Sequence, residues 1–402
     1  MIRVLQISNK APYPANDGSS IAVYNMALGL VENKVQLTLL CINTKKHFKP
    51  DNAVDSNFKK ATNYKSVFVN TDTSVVGAFL NLFSNQSYFV SRFHTKDFEL
   101  ELVQLLTSGE YDIIQLEGVF MAVYLPVIKK YCKAKVVIRT HNVEHKIWDR
   151  HIQSEKNLVK RCYLNIQNAR LKKFELSSLN AVDVAVTISP DDLTNFKNLK
   201  VACKLFNSIT GVNFSNYQLN KSITIQENTL FYFASMDWLP NQEAVDWFLK
   251  TCWPILSSKN ESIKLVIAGR NMPGRYKQLN SERIMVIENV LNPVDFYSSY
   301  QVLIVPLLSG SGVRIKIIEG MSYGKPIIST SVGAEGIGAV EGEHLMIADS
   351  PEDFVRTIIE VLNDPVKLNQ LSSNALNFAK KNFNNQLIVA DLLKYYQKLL
   401  NE

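Results

Sequence analysis

The chain has 402 residues, 46% apolar and 20% charged, an ordinary globular balance in a length that exceeds one core, so two domains are expected. Its net charge of +7 is modest, consistent with an anionic lipid or an anionic ligand and selecting neither. Five scattered cysteines without a C-x-x-C pair argue for reduced thiols and against a structural zinc. No run approaches the roughly 18 uncharged apolar residues of a membrane span, and the first residues read as a strand rather than a signal peptide, so a cytoplasmic protein is expected.

Residues 3–8 predict a first strand, followed by a turn-rich loop over 12–20, a helix over 21–32 and a second strand over 35–42. The loop between the first strand and first helix of a doubly wound domain faces its ligand. Asp17-Gly18 therefore marks a place for close backbone approach, against the plain alternative of a turn glycine. Residues 44–65 are polar and lysine-rich without a clean period, which predicts a surface excursion. The apolar Val75-Val-Gly-Ala-Phe-Leu-Asn-Leu-Phe83 is expected to pack into the core as a helix on the sheet. The competing expectation is an apolar surface helix that meets a membrane with the help of nearby lysines.

Residues 111–117 predict another strand, with Glu117 at its end facing the ligand as an acceptor-side candidate. After a strand that starts at Lys135, the residues Arg139, His141, Asn142, Glu144 and His145 cluster, and Asn142 is the second acceptor-side candidate. Two histidines four apart suggest a metal only if a third ligand joins them, and nothing supplies one. Residues 146–180 form a long helical tract rich in Lys and Arg, either a solvated face or a surface for anionic lipid. A strand over 182–189 precedes Pro190-Asp191-Asp192, which opens a helix, and the polar residues 215–228 read as a linker. The pattern then restarts with a strand over 229–234, a ligand-facing loop from Ser235 to Asn241 and a helix over 242–256. Arg270 ends a strand over 264–269, another strand covers 285–290, and late helices cover 352–363, 366–382 and 385–402.

The densest signal lies between residues 301 and 330: an apolar strand ending in Pro306, the loop Ser309-Gly310-Ser311-Gly312, a helix over 313–323, and a second apolar strand after Lys325-Pro326. A helix that starts at the carboxyl end of a parallel strand presents free amides and its dipole to an anion. From 313 to 321 the residues are apolar apart from Arg314, Lys316, Glu319 and Gly320, so the charges need partners. They would be satisfied by a Lys316–Glu319 pair with Arg314 in water. The arrangement favoured here sets Arg314 and Lys316 against a diphosphate and Glu319 against ribose hydroxyls, because the cations stand directly behind the glycine loop. A phosphate loop at Gly320-x-x-x-Gly324-Lys325 is excluded by its spacing and by Pro326, and neither a G-x-G-x-x-G unit nor a nucleic-acid motif is present.

The stretch from Pro306 through Ser311-Gly312 to Glu319-Gly-Met, ending in Gly324-Lys-Pro-Ile-Ile-Ser-Thr-Ser-Val-Gly-Ala-Glu-Gly336, resembles the donor-binding signature of the retaining glycosyltransferases of family 4. The resemblance implies an α/β chain of GT-B architecture, two Rossmann-like parallel-sheet domains facing across a cleft. Residues 1–207, with 385–402 packing back on them, would take the acceptor, and residues 208–384 the donor. It implies a nucleotide-diphosphate sugar donor, a saccharide or lipid-linked saccharide acceptor, and front-face retention without metal or other cofactor. It also implies surface polysaccharide or glycolipid assembly, with peripheral contact at an anionic membrane. His141 matches a family histidine near the reacting carbon, and with Arg314 and Lys316 makes the expected catalytic set. Donor contacts are expected from Gly18, Ser235, Arg270, Val290, Gly310, Ser311, Gly312 and Glu319. Two departures stand out. Ser311 occupies the place of the first of two family glutamates, and Met236 and Asn241 stand where relatives carry Arg and Lys, shifting phosphate charge to Arg314, Lys316 and Arg270. A nucleotide-sugar epimerase of the same fold is one alternative, and the departures motivate another, a non-catalytic sugar-nucleotide-binding protein.

Overall fold

Strand-forming runs such as Val-Leu-Gln-Ile and Val-Val-Ile-Arg are buried along almost their whole length, as parallel strands covered by helices must be. In the computed structural model, which describes all residues except 16, 17, 46, 47, 311 and 312, the chain divides into two units. One comprises Met1–Gly211 with Asn385–Glu402, the other Val212–Asn384.

The first unit contains β1 (Arg3–Ser8), β2 (Gln36–Thr44), β3 (Lys65–Val69), β4 (Ile113–Glu117), β5 (Lys135–Thr140), β6 (Val184–Thr187) and β7 (Lys204–Asn207). They form one parallel sheet in the order β3-β2-β1-β4-β5-β6-β7. The order reverses between β1 and β4, the place where open α/β sheets take ligands at the carboxyl ends of their strands. The second unit repeats the plan with β8 (Gln226–Phe233), β9 (Lys264–Gly269), β10 (Ile284–Glu288), β11 (Tyr300–Val305), β12 (Ile327–Ser329) and β13 (Met346–Ile347). Their order is β10-β9-β8-β11-β12-β13, again all parallel, and the reversal falls between β8 and β11. In this unit the helix Ile315–Ser322 lies so close on β11 that a Cβ on Gly320 would stand 2.4 Å from Leu303 Cδ2.

The C-terminal helix Asn385–Leu400 belongs to the first unit. Val389, Leu392, Tyr396 and Leu399 share a core with Met26, Ala27 and Leu30 of the helix Gly18–Glu32. Asn385 donates to the Asn25 carbonyl at 2.7 Å, and Asn25 in turn donates to the Gly211 carbonyl at 2.7 Å. Tyr396 reaches the sheet itself, where its hydroxyl donates to Gln115 Oε1 at 2.7 Å.

Several elements differ from their expected form. The surface excursion after β2 holds a short helix, Ser56–Thr62, capped by Asp55 and followed by edge strand β3. The basic tract is two helices, Glu144–Ser154 and Leu158–Leu179, because Asn157 caps the second through the Lys160 amide at 3.0 Å. Gly18 is the first residue of a helix rather than part of a loop, and Asp17 lies outside the described residues. The expected core helix at 75–83 is not in the core: in Val75–Asn81 no residue is buried. Among the described residues no helix is long and apolar enough to cross a membrane.

Replacing Tyr396 by Phe leaves Gln115 Oε1 without its partner inside the sheet. The variant is expected to lose about 1–3 kcal/mol, the cost of an unmet buried polar group, measurable as a lower urea midpoint with an unchanged slope.

Candidate functional site

At the carboxyl edge of the first sheet a carboxylate stands inside the protein. Glu117 closes β4 and is fully buried, so it does not face a ligand as expected of an acceptor-side residue. Its oxygens are consumed locally: Gln6 and Gln115 donate to Oε1 at 2.7 and 2.6 Å, and Arg139 Nη1 lies 3.2 Å from Oε2. The sequence gives the reason, since β1 and β5, flanking β4, carry Gln6 and Arg139 at positions that share its neighbourhood. Burial alone would raise this carboxyl, but the charges of Arg139 and His141 and the hydrogen bonds to His141 and Gln6 outweigh it and hold it down to about 2.

His141 follows β5 and places Nε2 2.7 Å from Glu117 Oε2. An ionised carboxylate can only accept, so Nε2 carries the proton and Nδ1 turns to Ser19, 3.5 Å away in the first turn of the Gly18–Glu32 helix. His141 is therefore fixed in orientation by a buried anion, and its side chain keeps 11% of its surface exposed. Arg139 does not join the open surface. It spans Glu117, the Ala22 carbonyl at 3.3 Å and Thr210 Oγ1 at 3.2 Å.

Asn142 and Glu144 form a second pair of this edge. Burial, then the neighbouring Glu175, raise the Glu144 carboxyl to about 8, with a hydrogen bond from Asn142 opposing the shift. Glu175 itself is buried in the Leu158–Leu179 helix, accepts from the Glu144 amide at 2.9 Å, and lies 2.5 Å from His145 Nδ1. His145 thus anchors the start of the Glu144–Ser154 helix on Glu175; among the described residues no group of three metal-ligating side chains occurs.

The second unit assembles a different site at its own strand ends. The loop after β11 carries Gly310, whose φ of +117° and whose closeness to Trp238 (2.9 Å from a Cβ built there) both suit glycine. Ser309 donates to Glu243 at 2.7 Å, tying this loop to the helix Leu239–Trp247. Ser311 and Gly312 lie outside the described residues. Arg314 caps the helix Ile315–Ser322 rather than standing within its first turn, and it is buried. Its Nη2 reaches the Val332 carbonyl at 3.4 Å and the Glu335 carboxylate at 4.0 Å.

Lys316 and Glu319 do not pair with each other. Lys316 Nζ donates to Asn241 Oδ1 at 2.6 Å and to the Tyr232 hydroxyl at 2.9 Å, with the Tyr232 ring centroid 4.6 Å away. Burial, and then the nearby Arg314, lower its ammonium to about 7. Glu319 accepts from the Tyr217 hydroxyl at 3.2 Å, among rings that include Tyr323 and Tyr297 stacked at 4.2 Å. Burial raises this carboxyl to about 7, against the opposing pull of Tyr217 and Lys316. Around this core, Arg270 donates through Nε to Ser235 Oγ at 2.8 Å, and Ser235 donates to Asp237 at 2.7 Å. Val290, beyond β10, is half-buried and follows Asn289, whose amide donates to the Gly269 carbonyl at 2.9 Å.

Sequence reasoning missed Tyr232, Tyr217, Ser19 and Trp238. It also passed over Gln6 and Gln115, whose polarity inside apolar strands is the signal that could have found them, since a buried polar group needs a partner. Asn241 is buried and works as the acceptor for Lys316, with its own amide donating to the Ser235 carbonyl at 2.7 Å. Met236 is fully buried and contributes to the core of the loop.

Residues 227–364, within the second unit, match the family model for Glycosyl transferases group 1. An uncharacterized 44.6 kDa protein in a cps region of Klebsiella pneumoniae is 22% identical over 404 residues, covering 98% of this chain and 100% of that protein. Among solved structures, the sucrose-phosphate synthase of Thermosynechococcus elongatus aligns with TM-score 0.72 at 15% identity, covering 100% of both chains. The Anabaena protein HepE, in complex with UDP and glucose, aligns with TM-score 0.68 at 12% identity over 99% of this chain and 100% of that one. At these identities the structural likeness establishes the fold, two Rossmann-like parallel-sheet units of the GT-B class.

Glu117→Gln is expected to cost about 3–5 kcal/mol at neutral pH, because it leaves the buried Arg139 cation unpaired. Since Glu117 is depressed in the folded state, the stability it contributes is present above the ordinary carboxyl value of 4.5 and is lost as pH falls through about 2. The gap between wild type and variant should therefore close between pH 4.5 and 2 in urea titrations.

Proposed function

We propose that this protein is a retaining, metal-independent glycosyltransferase that moves a sugar from a nucleoside diphosphate sugar to an acceptor hydroxyl in surface polysaccharide or glycolipid assembly. The observation that carries the reading is the second unit's site: a buried Arg314 and a half-buried Lys316 begin a helix behind a glycine loop, at the point where strand order reverses. Glu319 follows one turn later. This is an anion site with a hydroxyl acceptor beside it. The match to Glycosyl transferases group 1 over the same residues supports it, as do a full-length relative in a cps region and a structural neighbour that holds UDP and glucose.

In this reading the diphosphate lies against Arg314, Lys316 and the Ile315–Ser322 helix start, and the ribose hydroxyls donate to Glu319. Arg314 supplies a fixed charge and a planar fork for phosphate oxygens, and Lys316 a point charge. Arg270 and Ser235, joined at the neighbouring strand ends, hold the phosphates from the other side, and Val290 borders the base. As the bond from the anomeric carbon to the phosphate oxygen breaks, these preorganised cations stabilise the charge that develops on the leaving diphosphate. The acceptor hydroxyl attacks from the same face and passes its proton to the leaving phosphate oxygen. In the first unit, His141, oriented by Glu117, is the residue we assign to sugar positioning and Asn142 the one we assign to the acceptor.

Incubating the full chain with a panel of nucleotide sugars and saccharide acceptors tests the reading. Free nucleoside diphosphate with a lengthened acceptor supports it. A changed sugar without acceptor would show an epimerase, and tight donor binding without conversion a binding protein. Turnover is expected to survive EDTA. Arg314→Ala should lower turnover roughly 10²–10³-fold, the scale of losing one preorganised donor, with Lys at 314 restoring only part of it.

The same site sets a pH profile for nucleoside diphosphate affinity. Phosphate favours the charged ammonium, so affinity falls as pH rises above about 7 and Lys316 loses its proton. Ribose hydroxyls favour the carboxylate, so affinity also falls below about 7 as Glu319 gains one. Calorimetry across pH 5–9 should give a maximum near neutrality. Lys316→Arg should remove the alkaline fall and Glu319→Gln the acid fall, while lowering affinity at the maximum. A flat profile in the wild type would remove both groups from the nucleotide site.

A further inference from the structure

In the first unit the Val75–Asn81 helix turns an apolar stripe to solvent. Val75 is 88% exposed, Val76 68%, Phe79 60%, Leu80 61% and, in the turn that extends the helix, Phe83 81%. The spacing i, i+1, i+4, i+5, i+8 puts all five on one face. The helix is held by its ends rather than by that face. At one end the Ser74 amide donates to the Tyr88 hydroxyl at 3.0 Å. At the other, Arg170 donates to the Asn81 and Leu82 carbonyls at 3.0 and 2.9 Å, and Gln167 donates to Asn81 Oδ1 at 3.0 Å. Those anchors belong to the Leu158–Leu179 helix, whose first residues, Leu158 and Val159, are 77% and 82% exposed. The Tyr88 amide also donates to Gln167 Oε1 at 2.7 Å, so the segment that holds the apolar stripe is tied to the helix that carries Leu158 and Val159.

We infer that this face docks on an anionic phospholipid surface. A patch of large apolar side chains this exposed is a contact site, and its charge selects the occupant. Residues 73–96 contain Arg92 and Lys96 and no acid, and residues 156–174 contain six cations and no acid. Lys156 and Arg161 are exposed, and Lys160 pairs with Glu155 at 2.6 Å, just outside the acid-free stretch. Exposed Leu158 and Val159 flanked in sequence by exposed Lys156, Lys160 and Arg161, on the helix that anchors the Val75–Asn81 stripe, match apolar groups that sink to the acyl boundary beside cations at headgroup level of an anionic bilayer. The same cations would set a second copy of the chain against like charge. The inference rests on the first unit alone and stands independently of the proposed reaction.

Flotation of the full chain with phosphatidylglycerol–phosphatidylcholine vesicles tests it. Binding is expected with phosphatidylglycerol and at least tenfold weaker with phosphatidylcholine alone. Phe79→Ser with Phe83→Ser, and separately Lys156→Glu with Arg161→Glu, should each weaken binding at least tenfold at unchanged melting temperature, since these side chains are exposed. Nucleoside diphosphate affinity should not change, which keeps this result separate from the assignment of the donor site. No binding to the anionic vesicles, equal binding by the variants, or a dimer in light scattering that Phe79→Ser with Phe83→Ser dissolves would overturn the inference.

Discussion

A charge taken out of water must be matched nearby, and both units of this chain meet that demand at the carboxyl ends of parallel strands. In the first, Glu117 is enclosed with two glutamine amides, an arginine and a histidine. In the second, Lys316 and Glu319 are each given a neutral partner, Asn241 with Tyr232 for the cation and Tyr217 for the carboxylate. The difference has a consequence. Glu117 is satisfied by full charges and stays ionised, whereas Lys316 and Glu319 are moved toward neutrality and have charge to gain from a ligand.

The first arrangement also explains why the C-terminal helix returns to the first unit. Tyr396 bonds Gln115, Gln115 bonds Glu117, and Glu117 orients His141, so a chain of hydrogen bonds runs from the last helix to the strand-end surface. Ordering His141 therefore depends on a residue over two hundred and fifty positions away in sequence.

The double alternation of strand and helix was legible because short runs of Val, Ile and Leu bounded by turn residues alternate with helical patterns through both halves of the chain. Edge strand β3, Lys65–Val69, was not, since its residues are only partly covered and carry little pattern. The Val75–Asn81 helix shows the reverse failure: apolar composition signals burial only when a partner exists, and sequence does not show the partner. At the strand ends, the pattern located Arg314, Lys316 and Glu319 after β11 and His141 after β5. Direction was not readable. Glu117 points inward because Gln6, Gln115 and Arg139 converge on it from three strands, and that convergence exists only in the folded sheet.

The departures at 236 and 241 gain a physical meaning from this geometry. Met236 is simply core, so its position offers no room for a phosphate-binding cation without rebuilding the loop. Asn241 is different, because its Oδ1 accepts from Lys316 at 2.6 Å. A lysine there, as in the family this stretch resembles, would place a second ammonium within hydrogen-bond reach of the first, and each would depress the other. Asparagine removes that repulsion and supplies an acceptor that holds Lys316 in place beside Arg314. The exchange therefore does not empty the site of positive charge. It leaves Arg314 and Lys316 at the start of the Ile315–Ser322 helix, where the positive end of the helix dipole lies.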